Sequence, residues 1–236
     1  GKNGQVGWEL QRSLAALGHV IALDRHSAPL CGDLSNIDAL VKTIYDVKPN
    51  IIVNAAAYTA VDQAESDQAT AEIINHHAVA AIAQAASDIG ALLIHYSTDY
   101  VFNGEGLTSW SEDAITSPQN MYGLTKRKGE IAIEACDGDY LIFRTCWVYG
   151  AHGKNFLKTM LSLGKTKTEL RIIDDQVGAP TGAELIADAT ALAIVGYTSA
   201  KKGIYHLAAK GYTSWHDYAL YVFAEARQLG VEIKVG

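Results

Sequence analysis

The chain has 236 residues, with 19 Lys and Arg against 26 Asp and Glu, and a formal charge of −7. Hydrophobic residues make up 49% and charged ones 19%, enough apolar material for a core and too little charge for a disordered chain. The acidic balance argues against a nucleic-acid backbone as the main partner, no apolar run approaches the roughly 18 residues of a membrane span, and three cysteines without a CxxC pair argue against a disulfide or zinc scaffold, so a cytoplasmic setting is expected.

Residues 5–17 place Val6, Leu10, Leu14 and Leu17 at helical spacing. The apolar run 20–23 predicts a short strand, 37–47 a helix stopped by Pro49, and 51–54 a buried strand. Residues 61–89 are Ala-rich and predict one helix ending at Gly90. A strand at 92–96, a helix at 121–136 and a strand at 140–144 follow. Beyond 150 the pattern loosens, with helices at 156–163, 184–195 and 214–229 and strands at 170–173 and 203–207. Residues 231–236 read as one more strand just begun. Strands alternating with helices predict an α/β fold. We expect a Rossmann-type doubly wound parallel sheet over 1–150 and a smaller part over 151–236 covering a cleft above it, some of whose elements return to the sheet.

Gly1, Gly4 and Gly7 lead into the helix that starts at Gln5. Such a loop is either an ordinary glycine-rich turn or a site where backbone and helix N-terminus approach a pyrophosphate. Asp24 ends the next predicted strand, where a carboxylate can accept from a ribose hydroxyl, which favours NAD. Arg25 beside it could pair with a 2′-phosphate, which leaves NADP open. Asp33 and Leu34 fall where an adenine-contacting turn could sit, and the small residues of Asn54-Ala-Ala-Ala57 leave room for a ligand at a strand end. A loop of this kind follows a strand, and none precedes Gly1, so the first strand of the sheet is expected to be missing.

Tyr122-Gly-Leu-Thr-Lys126 places a phenol and an amine four apart on one helix face. The ammonium is expected to lower the phenol's pKa and make Tyr122 a general acid for a carbonyl oxygen. The spacing also arises by chance, as Tyr197 and Lys201 show. What distinguishes the first pair is the hydroxyl of Thr98, at the end of a strand upstream.

With these residues in hand the chain resembles an extended short-chain dehydrogenase/reductase, and within that superfamily the dTDP-4-dehydrorhamnose reductase family. The resemblance runs through Gly1-Lys-Asn-Gly-Gln-Val-Gly7, residues 53–62, Ser97-Thr-Asp-Tyr-Val-Phe102, Tyr122-Gly-Leu-Thr-Lys126, residues 144–150 and Asp175-Gln-Val-Gly-Ala-Pro-Thr181. It implies NADPH- or NADH-dependent reduction of a dTDP-4-keto-6-deoxy sugar. It also implies that Gly1, Gly4, Gln5, Val6 and Gly7 hold the pyrophosphate, and that Asp24, Asp33, Leu34, Ala57, Tyr58 and Thr59 line the rest of the cofactor. Tyr122 would donate the proton, Lys126 would hold the nicotinamide ribose, and Thr98 would assist at the carbonyl. Asp99, Tyr100, Trp147 and Asn155 would face the sugar nucleotide. A homodimer with Mg²⁺ on Glu9 and Glu184 is a further implication, lacking a third ligand in this sequence.

The resemblance leaves rivals. A related 4,6-dehydratase carries Asp-Glu after the Thr, where this chain has Asp99-Tyr100; an epimerase would retain its NAD; a non-catalytic regulatory subunit would have lost the Tyr or Lys. Elsewhere plainer readings prevail. His76 and His77 are adjacent and expected to point apart on a helix, which disfavours joint metal binding. Trp110 and Trp215 read as packing residues, Cys146 as a buried thiol, and Asp174-Asp175 as a loop.

Overall fold

The computed structural model describes residues 1–235. In chain order the elements are α1 (Gln5–Leu14), α2 (Ile37–Val47), β1 (Ile51–Asn54), α3 (Val61–Ser66), α4 (Gln68–Glu72), a π-helical turn (Ile73–His77) and α5 (Ala78–Ile89). There follow β2 (Leu92–Thr98), a 3₁₀ turn (Asp99–Val101), α6 (Met121–Glu134), β3 (Tyr140–Thr145), β4 (Val148–Tyr149), α7 (Phe156–Thr166), β5 (Val177–Gly178) and β6 (Thr181–Gly182). The last are α8 (Ala183–Val195), a second 3₁₀ turn (Ser199–Lys201), β7 (Gly203–His206), β8 (Thr213–Ser214) and α9 (Trp215–Gln228).

β1, β2, β3 and β7 form one parallel sheet in that order. Parallel strands need covered faces, and both are covered. On one face Ile82, Ala83 and Ala86 of α5, Leu40 and Ile44 of α2 and Ile133 of α6 pack with Leu93 and Ile142. On the other, Ile94, Leu141 and Phe143 meet Ala193 and Ile194 of α8. β7 thus lies in the sheet, and α8 packs between it and α1. A separate cluster around Phe223, Val222 and Met160 joins α7 to α9. Among the described residues no helix is long and apolar enough to cross a membrane.

Several expectations fail for physical reasons. Residues 20–23 form no strand: the Leu23 carbonyl accepts from the Gly1 and Lys2 nitrogens, and a cavity of about 560 Å³ separates this segment from β1. β1 is accordingly only partly buried, with Ile51 exposed. Residues 170–173 and 231–235, where Arg171, Glu232 and Lys234 interrupt the apolar positions, pair with no strand among the described residues: the Ile173 carbonyl accepts from the His216 nitrogen and the Lys234 nitrogen donates to the Gly164 carbonyl, single bonds rather than ladders; Gly236 lies outside the described residues. The long helix at 61–89 breaks at Asp67, whose carboxylate takes the Tyr58 hydroxyl at 3.1 Å, and widens to the π-turn at Ile73–His77. On that turn the His76 and His77 rings do not point apart but stack, with centroids 4.6 Å apart.

Candidate active site

The sheet brings the predicted residues to the C-terminal ends of β1 and β2, where open α/β sheets bind ligands. Gly4, just before α1, is extended and caps the helix without a side-chain bond, so its first-turn N–H groups stay open to an anion. The loop can fold this tightly because Gly1 and Gly7 lack side chains: a Cβ on Gly7 would run into the Gly1 carbonyl, and one on Gly1 into Ala55. Those close approaches bring the loop against the strand end after β1.

Asp24 faces the same loop. Its carboxylate accepts from the His26 nitrogen at 2.9 Å, from Ser27 Oγ at 3.1 Å and from Asn3 Nδ2 at 2.5 Å, with Lys2 Nζ at 3.8 Å. The His26 backbone bond is the main cause that lowers its pKa. Arg25 pairs with His26 on the surface. Asp33 is taken up by the Ser35 nitrogen and hydroxyl, and the Leu34 side chain is buried in the core, leaving only its backbone for a ligand. Ala57 and Thr59 flank Tyr58, whose backbone is held on both sides by Asn75: the Tyr58 nitrogen donates to Asn75 Oδ1 at 2.9 Å, and Asn75 Nδ2 donates to the Tyr58 oxygen at 3.0 Å.

α6 carries Tyr122 and Lys126. It comes close because Gly123 faces the Tyr100 carbonyl, a place no side chain could share. The Tyr122 ring meets Tyr100 edge-on at 5.5 Å. Thr98 Oγ1 donates to Asp99 Oδ1 at 3.0 Å and accepts from the Tyr100 nitrogen at 3.2 Å. Burial pushes the Tyr122 phenol up to about 12; the Thr98 hydroxyl acts the other way, and Asp99 and Tyr100 add to the rise. This corrects the expectation that Lys126 would lower it. Lys126 is 2% exposed and turned to the sheet: Nζ donates to the Tyr96 carbonyl at 2.6 Å and sits 3.1 Å from His95 Nε2. Burial brings Lys126 down to about 8, opposed by the nearby Glu130 carboxylate.

The sugar-side residues divide. Tyr100 is exposed, and Asp99 is half-buried with its carboxyl pushed upward by desolvation. Trp147 has the unusual φ of 46° and stacks on Trp215 at 3.5 Å, so one indole face is already covered. Asn155 is used up internally: it caps α7 through the Lys158 nitrogen and donates to Gln5 Oε1 and the Gly150 carbonyl, both at 2.9 Å. Both ends of its amide are therefore engaged within the protein. Glu9 on α1 lies 3.5 Å from Arg12, Glu184 is exposed on the first turn of α8, and among the described residues no third ligand group joins them.

Three buried residues escaped sequence reasoning. Asn75 links Tyr58 to α6 through Thr125 Oγ1 at 3.2 Å. His95 touches Lys126. Glu130 holds Arg144 by two bonds of 2.8 and 2.9 Å, tying α6 to β3. Glu130 and Arg144 fall on an α6 and a β3 recognisable in the sequence, and a charged residue inside an apolar strand was the available signal.

The family model described as the RmlD substrate binding domain matches residues 1–235. A dTDP-4-dehydrorhamnose reductase of Shigella flexneri is 55% identical over 237 residues, covering 99% of this chain and 79% of that protein. The chain belongs to the dTDP-4-dehydrorhamnose reductase family. Solved structures agree. A dTDP-4-dehydrorhamnose reductase of Clostridium acetobutylicum is 39% identical, with a TM-score of 0.90 over 100% of this chain and 81% of that one. One of Bacillus anthracis, in complex with NADP, is 35% identical, with a TM-score of 0.89 over 100% of this chain and 80% of that one. Membership of this reductase family makes the chain an oxidoreductase of Rossmann type and gives the Thr98, Tyr122 and Lys126 cluster a chemical context.

Proposed function

We propose that the chain reduces the C4 ketone of dTDP-4-dehydro-β-L-rhamnose to dTDP-β-L-rhamnose, using NADPH or NADH. The observation that carries this reading is the meeting of Thr98 and Tyr122 at the end of β2, with Lys126 buried behind them, in a chain of this family.

The residues fit a dinucleotide. The open N-terminus of α1 suits a pyrophosphate, the Gly1 and Gly7 contacts leave the backbone bare, and Asp24 suits a ribose. Ser97 and Thr145, at the ends of β2 and β3, also bury hydroxyl oxygens without a protein partner, the kind of atom a ligand or water satisfies. When bound, the nicotinamide supplies the hydride.

The chain supplies the proton and the alignment. Tyr122 keeps its phenol hydrogen at neutral pH, so it is loaded as an acid. Its proton passes to the alkoxide oxygen that develops at C4. Thr98 lies beside it with its hydroxyl oriented by Asp99 and the Tyr100 nitrogen, and turns its hydrogen to the same oxygen. Lys126 serves the nicotinamide ribose, and Tyr100 with one face of Trp147 borders the sugar nucleotide. Residues 1–150 carry the cofactor side together with the catalytic cluster and the border residues Tyr100 and Trp147, and 151–236 add the rest of the substrate side, in a cytoplasmic enzyme. A homodimer belongs to the same proposal, supported by Leu192 and Val195, which stand exposed on α8. Magnesium on Glu9 and Glu184 needs further oxygen ligands from a second chain, because two carboxylates do not complete a hard-cation site.

The test is consumption of reduced nicotinamide that depends on the 4-keto sugar nucleotide. Tyr122→Phe is expected to lower kcat by about 10²–10⁴-fold with cofactor affinity retained. Near-normal turnover in that variant sinks the mechanism.

A further inference from the structure

An α-helix turns with 3.6 residues, so positions i and i+5 diverge. A π-turn, bonded i to i+5, is wider and brings both i+4 and i+5 alongside i. In this chain the π-turn Ile73–His77 follows directly on Glu72, so i is Glu72 and the two neighbours are His76 and His77. Glu72 Oε1 lies 2.9 Å from His76 Nδ1, the two imidazoles stack at 4.6 Å with 30° between their planes, and one donor atom from each residue falls within 4.8 Å of the others. Glu72 and His76 are half-buried and His77 is exposed, so the group opens to water on one side.

We propose that Glu72, His76 and His77 form a binding site for a transition-metal ion of the zinc(II) class. Two imidazoles and one carboxylate match that class, with water completing the coordination; magnesium and calcium prefer all-oxygen sets. The place already attracts positive charge: Lys128 of α6 brings its ammonium 2.8 Å from the same Glu72 oxygen. Metal and Lys128 therefore compete for that oxygen. The site also shares its turn with Asn75, the clamp on Tyr58 and Thr125, so an ion there stiffens the segment that supports the candidate active site.

The test titrates the full chain, free of any affinity tag, with Zn²⁺ alone by calorimetry and with Co²⁺ by visible absorbance. One ion per chain is expected. His76→Gln and His77→Gln each weaken binding at least about tenfold, or ~1.4 kcal/mol. Lys128→Gln tightens it, because the carboxylate is released. Circular dichroism on each variant confirms that the fold is kept. Unchanged affinity in His77→Gln overturns the proposal, and so does unchanged or weaker binding in Lys128→Gln. A cobalt spectrum with a thiolate charge-transfer band overturns it too, by moving the ion to Cys31, Cys136 or Cys146.

Discussion

Lys126 Nζ stands 3.1 Å from His95 Nε2, an imidazole that is itself fully buried. The ring's other nitrogen faces Asn54 Nδ2 at 3.2 Å, while Asn54 Oδ1 accepts from the Ala56 nitrogen. If Asn54 donates to Nδ1, the ring hydrogen sits on Nε2 and points at Lys126, which then receives it as a free amine. An ammonium at Lys126 requires the opposite tautomer and a turned Asn54 amide. Burial also holds His95 well below its usual range, with Lys126 adding to the effect, so the ring stays neutral.

This gives a pH prediction with a definite sign. Lys126 falls from 10.5 to about 8 on folding, so between those values the unfolded chain binds the extra proton. Stability contributed at Lys126 therefore rises with pH across that window. The groups facing it are His95 and the Tyr96 carbonyl on β2 and Glu130 on its own helix α6. Urea unfolding of wild type and Lys126→Met at pH 8 and pH 10 should show the wild type gaining relative to the variant. A constant difference between the two would contradict a depressed Lys126.

Cofactor choice should turn on Asp24. Asp24→Ala removes a carboxylate held beside Lys2 and Asn3, leaving the ammonium of Lys2 unopposed. The NADPH-to-NADH ratio of kcat/KM is expected to rise about tenfold. Steady-state kinetics with both cofactors check this, and an unchanged ratio removes Asp24 as the ribose reader.

The Glu130–Arg144 pair should be worth most when broken. Both side chains are buried, at 0% and 3% exposure. Arg144→Met leaves Glu130 with only the Arg127 contact of 2.9 Å and is expected to cost about 3–5 kcal/mol in urea unfolding. Replacing both members by apolar residues should recover much of that loss, since no buried charge then remains.

Legibility in the sequence followed the range of the interaction. The limits of α2 match the reading at both ends, because an Asn36 cap and a left-handed Lys48 are local features. Tyr122 and Lys126 were visible through their spacing, and Thr98 through its place at a strand end. The charge state of Tyr122 was not, because it depends first on burial by the surrounding elements, with Asp99 and Tyr100 adding to the rise. Nor was the role of Asn155, whose partner Gln5 is 150 positions away. Residues 20–23 had the composition of a strand but no backbone beside them to pair with. His76 and His77 were misread because a regular helix was assumed where Asn75, bonded to Tyr58 and Thr125, accompanies a wider turn.

The Gln5 amide gives that distant contact a mechanical meaning. It donates to the Val148 carbonyl at 3.2 Å and accepts from Asn155 at 2.9 Å, so rotating it breaks two bonds together. The glycine loop and the start of α7 are thereby latched to one another. Any displacement of the loop is therefore felt at β4 and at the start of α7, although these lie 143 and 150 positions away along the chain.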